Sequence, residues 1–122
     1  MKRVEHFDLY ADDPERAVRF YTDVFGWTIQ KWEGPMDYWM VSTGPSDQPG
    51  IDGGISKRQD PADHTVNTIG IPSVDEFTEK ITASGGIILA PKTAIPGVGW
   101  FALCKDTEGN KFGIMEEDTS AR

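Results

Sequence analysis

The chain is poor in four things, and each absence removes a class of function. It has one cysteine, Cys104, in 122 residues. An intrachain disulfide is therefore impossible, and no thiolate metal cluster can be assembled from this chain. Basic residues are outnumbered, 12 against 20 acidic, for a formal charge of −8. That balance argues against nonspecific binding to nucleic acid or to an anionic membrane surface, and it reads as a solubility device compatible with a cationic ligand. Long apolar runs are missing too: the start, MKRVEHFDLY, has no apolar segment of signal-peptide type, and no later run could span a bilayer. The expectation is a cytoplasmic protein with no membrane partner. Finally, no G-x-S-x-G nucleophile motif occurs, and nothing near Cys104 in sequence would lower its pKa.

What is present begins with HFDLYADDPERAVRFYTDVFGW, from His6 to Trp27. Apolar residues take every second place in His6–Ala11, the period of a half-buried strand. Phe7, Leu9 and Ala11 form one face, and His6, Asp8 and Tyr10 the other. Asp13 stands as an N-cap with Pro14 at the first helical position. Ala17, Phe20, Tyr21, Val24 and Phe25 then make an apolar stripe, and Gly26 supplies a left-handed stop. The spacing predicts a helix over 14–25 lying on the Phe7/Leu9 face of the strand.

The unit recurs about sixty residues on. Val66–Ile71 is the matching strand, Ser73 with Glu76 a capping box, and Val74–Ser84 the matching helix, stopped by Gly85-Gly86. After the first helix come strands at Trp27–Trp32, Tyr38–Ser42 and Ile51–Ser56. Gly53-Gly54 marks a bulge or a close backbone approach. After the second come Ile87–Leu89, a loop Pro91–Gly99, strand Trp100–Lys105, the hairpin turn DTEGN, strand Lys111–Met115 and a polar tail. Each half is βαβββ. The expected organisation is one α+β domain, with a first module over about 1–57, a linker over 58–63 and a second module over about 64–118. Halves of this size are individually marginal and should share a core or a sheet.

The opening strand with its DPERA helix ending FGW, the loop PGVGW and the ending DTEGNKFGI together resemble the glyoxalase/bleomycin-resistance/extradiol-dioxygenase superfamily, also called vicinal oxygen chelate proteins. The resemblance covers nearly the whole chain. It implies two tandem βαβββ modules forming a curled sheet around a cup, often with two chains completing the cups. It does not imply one activity, because the superfamily holds lyases, isomerases, dioxygenases, thiol transferases and noncatalytic drug binders.

In the superfamily's metal-dependent members the ligands come from the first strand of each module and from a glutamate four places after the glycine of the D-x-x-G turn. His6 matches the first position, but Val66 and Gly113 occupy the other two and cannot bind a metal. His64 lies two residues before Val66, about 6–7 Å along a strand, too far to reach the same ion unaided. Glu116 falls on the opposite strand face from Gly113. The expectation is therefore no cofactor and no complete divalent-metal site, with His6 the one remaining metal ligand. The acidic pairs Asp12/Asp13 and Asp75/Glu76 read as cap and helix-dipole chemistry.

Four tryptophans and three tyrosines are abundant aromatic surface for a small sheet. Flat aromatic walls suit planar or extended apolar ligands, with a few polar groups to orient them. The resulting expectation is a homodimeric small-molecule-binding protein whose cup is lined by His6, Asp8, Tyr10, Trp39, Trp100 and the Gly113 edge. Two other readings stand beside it: a metal-dependent lyase, isomerase or dioxygenase-like enzyme using His6, and a dimeric interaction module with no small ligand.

Overall fold

The computed structural model describes residues 2–122. Its elements follow the order β1 (Val4–Ala11), α1 (Pro14–Phe25), β2 (Thr28–Lys31), β3 (Tyr38–Ser42), β4 (Asp52–Lys57), β5 (Val66–Gly70), α2 (Val74–Ala83), β6 (Ile87–Ile95), β7 (Gly99–Lys105) and β8 (Lys111–Glu117). The βαβββ order occurs twice, and the fold is α+β. Among the described residues no helix is long and apolar enough to cross a membrane.

The chain divides into two compact units, one spanning His6–Thr65 and the other combining Val66–Arg122 with the first strand's opening residues through Glu5. Gly70 donates its N–H to the Arg3 carbonyl at 3.0 Å, which ties the start of the chain to β5.

In the His6–Thr65 unit the strands run β2-β3-β4-β1. Asp13 accepts from the Arg16 N–H at 3.2 Å, and Gly26 closes α1 with φ 70°, as the sequence pattern requires. Trp27 stacks on Tyr21 with centroids 4.9 Å apart and meets Phe7 at 6.1 Å, so α1 lies over the Phe7 face of the sheet. Val41 and Ile55 are the buried apolar residues of this unit. The expected stripe of α1 is buried only along Ala17 and Tyr21, each half-buried. Phe20, Val24 and Phe25 remain 55%, 57% and 60% exposed.

The Gly53-Gly54 pair is not a bulge. β1 and β4 pair in unbroken parallel register from His6↔Asp52 to Ala11↔Lys57. Side chains crowd both glycines instead: a Cβ at Gly53 would overlap the Phe7 ring, and one at Gly54 would overlap the Tyr38 hydroxyl.

In the Val66–Arg122 unit the order is β5-β8-β7-β6. Ile71, Val74, Ala102, Cys104 and Ile114 form its core, with Phe77 and Ile81 of α2 packed on it. Ser73 accepts from the Glu76 N–H at 3.1 Å, but the Glu76 carboxylate turns to Lys80 rather than completing a capping box. Ser84 is the C-cap and Gly85, at φ 95°, follows it. Gly86 donates to the Ile81 carbonyl and Gly85 to that of Thr82, a Schellman closure.

Two expectations are corrected here. Residues 91–95 are not loop: β6 continues to Ile95, with register irregularities between Ile88 and Thr93. β6 is an edge strand, where the missing N–H of Pro91 leaves no ladder bond unmade. The polar tail is also not free, since Gly97 donates to the Ala121 carbonyl, Asp118 to that of Val98, and Ala121 is fully buried.

Candidate functional site

Cross-strand partners point to the same side of a sheet, so the registers assign every side chain to a face. In the His6–Thr65 unit, Leu9 pairs with Ile55 and Ile55 with Trp39, while Phe7 pairs with Gly53 and Gly53 with Val41. These residues share the face that carries α1. The opposite, open face presents His6, Asp8 and Tyr10 from β1, Gly54 and Ser56 from β4, and Tyr38 and Met40 from β3. The alternation expected in His6–Ala11 therefore holds, but Trp39 is not brought together with His6, Asp8 and Tyr10. It lies behind the sheet with the Lys31 ammonium 5.6 Å from its ring centroid.

Tyr38 takes the place that Trp39 was expected to fill. Its side chain leans across the vacant side of Gly54, and its hydroxyl donates to Asp8 Oδ1 at 2.9 Å. His6 Nε2 lies 3.2 Å from the Tyr38 oxygen and 3.3 Å from Asp8 Oδ1. These distances assign the tautomer. Tyr38 spends its only proton on Asp8, and the carboxylate has none to give, so the proton between them must sit on His6 Nε2.

The electrostatics follow from burial and from one carboxylate. Burial, the adjacent Asp8 charge and the hydrogen bond to it push the Tyr38 phenol far above its usual range. Tyr10 is raised as well, by burial first and then by the charges of Asp8 and Asp63. Both phenols stay neutral at physiological pH, and that of Tyr38 serves as a donor. The Asp8 and His6 side chains are 23% and 39% exposed, so the cluster is reachable from solvent. Arg58 donates from its guanidinium to the Tyr10 carbonyl at 2.9 Å, at the end of β1. Further along the same unit, a hollow of about 400 Å³ is lined by Gly26, Thr28, Ser42, Thr43, Gly44 and Pro45.

The second unit treats its expected site residues in the same way. Trp100 pairs with Glu116, Ala102 with Ile114 and Cys104 with Phe112, which puts Trp100 on the face that carries α2. There its indole N–H donates to Asp118 at 3.1 Å, and the Lys92 ammonium sits 4.9 Å from its ring centroid. Gly113 faces the other way with Leu103 and Thr68. A Cβ there would press on the Phe101 ring and the Thr68 hydroxyl. Trp100 and Gly113 thus stand on opposite faces of one sheet.

The residues at the superfamily's metal positions do not make a donor set. Val66 is buried and Gly113 has no side chain. Glu116 is occupied: its Oε1 accepts from the Val74 N–H at 2.9 Å and caps α2. His64 is exposed on the linker side of β5. Among the described residues no group of three or more His, Cys, Asp or Glu side chains converges. Cys104 is buried, and burial pushes its thiol up, away from nucleophilic use.

Tyr38 is the residue that sequence reasoning missed, although a signal was available. Val41 has the parity of Trp39 and is an obvious core residue, so Tyr38 and Met40 had to face the other way.

Comparison with known proteins agrees with this architecture. The family model for bleomycin resistance protein-like N-terminal regions matches residues 3–44. A glyoxylase-like domain-containing protein of Didymella fabae is 30% identical over 117 residues, covering 92% of this chain and 91% of that protein. CFP32 of Mycobacterium bovis, which carries a glyoxylase name, is 27% identical over 113 residues, and this chain spans 42% of its length. Among solved structures, a variant of Streptomyces coelicolor methylmalonyl-CoA epimerase in complex with 2-nitronate-propionyl-CoA superposes with a TM-score of 0.71. It is 15% identical, with 100% of this chain and 99% of that one covered. From the repeated βαβββ order, the shared fold and the full-length relative, the chain belongs to the glyoxalase/bleomycin-resistance group of the vicinal oxygen chelate superfamily.

Proposed function

We propose that this protein binds a small organic molecule on the open face of its His6–Thr65 unit, at His6, Asp8, Tyr10 and Tyr38, without a complete metal site. One observation carries the reading. Asp8 holds a partly exposed carboxylate whose Oδ1 is fixed by Tyr38 and His6, while among the described residues no hydrogen bond engages its Oδ2. Such a group favours a ligand that offers a cationic or N–H donor, and the phenol faces of Tyr10 and Tyr38 suit a planar body beside it.

Metal-free binding is supported by the donor set: valine and glycine stand at two of the three expected positions. Calorimetry decides it. A panel of planar amines and neutral aromatic ligands is titrated in chelator-treated buffer against wild type and Asp8→Asn. Binding to wild type that weakens about tenfold in Asp8→Asn is expected, since a hydrogen bond to a charged group contributes roughly 1.5–3 kcal/mol. A separate titration uses Zn²⁺, Ni²⁺ and Mn²⁺. Stoichiometric tight metal binding lost in His6→Ala would overturn the metal-free reading and favour a metal-dependent enzyme of the same superfamily.

A further inference from the structure

The repeat provides an internal control for the surface of α1. At the sixty-residue offset, Phe20, Val24 and Phe25 correspond to Lys80, Ser84 and Gly85. The second helix is therefore polar or bare where the first is apolar. The buried positions match instead, Ala17 with Phe77 and Tyr21 with Ile81, and each packs on its own sheet. The fold thus needs only the Ala17/Tyr21 side of the stripe. Phe25, 60% exposed, stacks on Tyr21 and Trp27 at the end of the helix, whereas Phe20 and Val24, 55% and 57% exposed, are surplus to the fold. Those two offer on the order of 200 Å² of apolar surface, taking about 200 Å² for a whole phenylalanine. That is a fitting apolar centre for one side of an interface of about 800 Å² per partner.

The charges on α1 identify the partner. Arg16 and Arg19 lie in its first half and Asp23 in its last turn, and no basic residue occupies that turn. Glu15 stands in the first turn, where the helix dipole favours an acid, but Arg16 and Asp23 each lie toward the end that it disfavours. Among the described residues none of Arg16, Arg19 and Asp23 makes an ion pair. Seven residues apart, Arg16 and Asp23 lie within about 20° of each other on the wheel, on the same flank of the Phe20–Val24 line. A two-fold axis near Phe20 sets a second α1 antiparallel to the first. Arg16 of each chain then meets Asp23 of the other, and each misplaced charge faces the helix end that suits it. Such self-complementarity is the requirement of an isologous contact.

We propose that the protein is a homodimer joined through antiparallel α1 helices, with Phe20 and Val24 at the centre and reciprocal Arg16–Asp23 pairs at the edge. Sedimentation equilibrium across micromolar concentrations tests it on four proteins: wild type, Phe20→Lys, Arg16→Asp, and Arg16→Asp combined with Asp23→Arg. Phe20→Lys installs the residue the second helix already carries there, so folding is retained, and circular dichroism checks each variant. The expected result is a wild-type dimer, a dissociation constant raised roughly thirtyfold or more by Phe20→Lys, weakening by Arg16→Asp, and recovery in the double reversal. A monomeric wild type, or a dimer indifferent to Phe20→Lys, would overturn the interface. A dimer that Arg16→Asp leaves intact, or that the double reversal fails to restore, would overturn the antiparallel arrangement.

Discussion

The Tyr38 hydroxyl reaches Asp8 at 2.9 Å because Gly54, paired in register with Asp8, has no side chain to stand between them. A glycine in a strand interior weakens it locally, and here the vacant volume holds the polar cluster together.

Gly54→Ala should therefore act on Tyr38 rather than on β4. The added methyl overlaps the phenol, and relief requires Tyr38 to swing away from Asp8. A loss of about 1–3 kcal/mol, typical of overpacking, is expected in urea denaturation. In a Tyr38→Ala background the same substitution should cost far less, and a double-mutant cycle measures the difference. Equal costs in both backgrounds would place the strain elsewhere.

The tyrosines offer a spectroscopic readout of Asp8. Tyr38 and Tyr10 are both raised from the ordinary value of 10.0, by burial first and by the Asp8 charge next. Absorbance titration of tyrosinate should show ionisation displaced to higher pH, and Asp8→Asn should move part of it back toward 10.0. The sign for stability follows by linkage: the unfolded chain releases these protons first, so the stabilisation is complete below pH ~10 and is lost as pH rises above it toward the folded values. Stability that climbs with pH in that window would contradict the assigned burial.

Glu116 should behave as a cap and not as a ligand. Its carboxylate accepts from the Val74 N–H at the start of α2, and Val74 is fully buried. Glu116→Ala is expected to lower stability by roughly 0.5–2 kcal/mol, and Glu116→Gln, which keeps an acceptor oxygen, by less. Thermal denaturation followed at 222 nm reads the difference, and small-molecule binding should be unchanged in both variants.

The sequence by itself determined what is local and periodic. Asp13, Pro14 and Gly26 bounded α1, Ser73 and Gly85 bounded α2, and the alternation in His6–Ala11 placed His6, Asp8 and Tyr10 on one face. Caps and turns act over a few residues, and a strand's two faces follow from its pleat. The repeat itself was legible because both halves spell the same order of signals.

Which face of a neighbouring strand joins the site depends on register between segments distant in the chain, and only the tertiary structure decided that. Trp39 and Trp100 have the size and chemistry of cup walls, yet their registers with Ile55 and Glu116 put each behind its sheet with the helix. Tyr38 joins the polar cluster because a strand far along the chain contributes Gly54 opposite Asp8. Nor could the stripe of α1 tell which of its apolar residues the sheet would cover: a helix face is wider than one row of contacts, and of the stripe only Ala17 and Tyr21 are half-buried. That remainder left Phe20, Val24 and Phe25 at the surface.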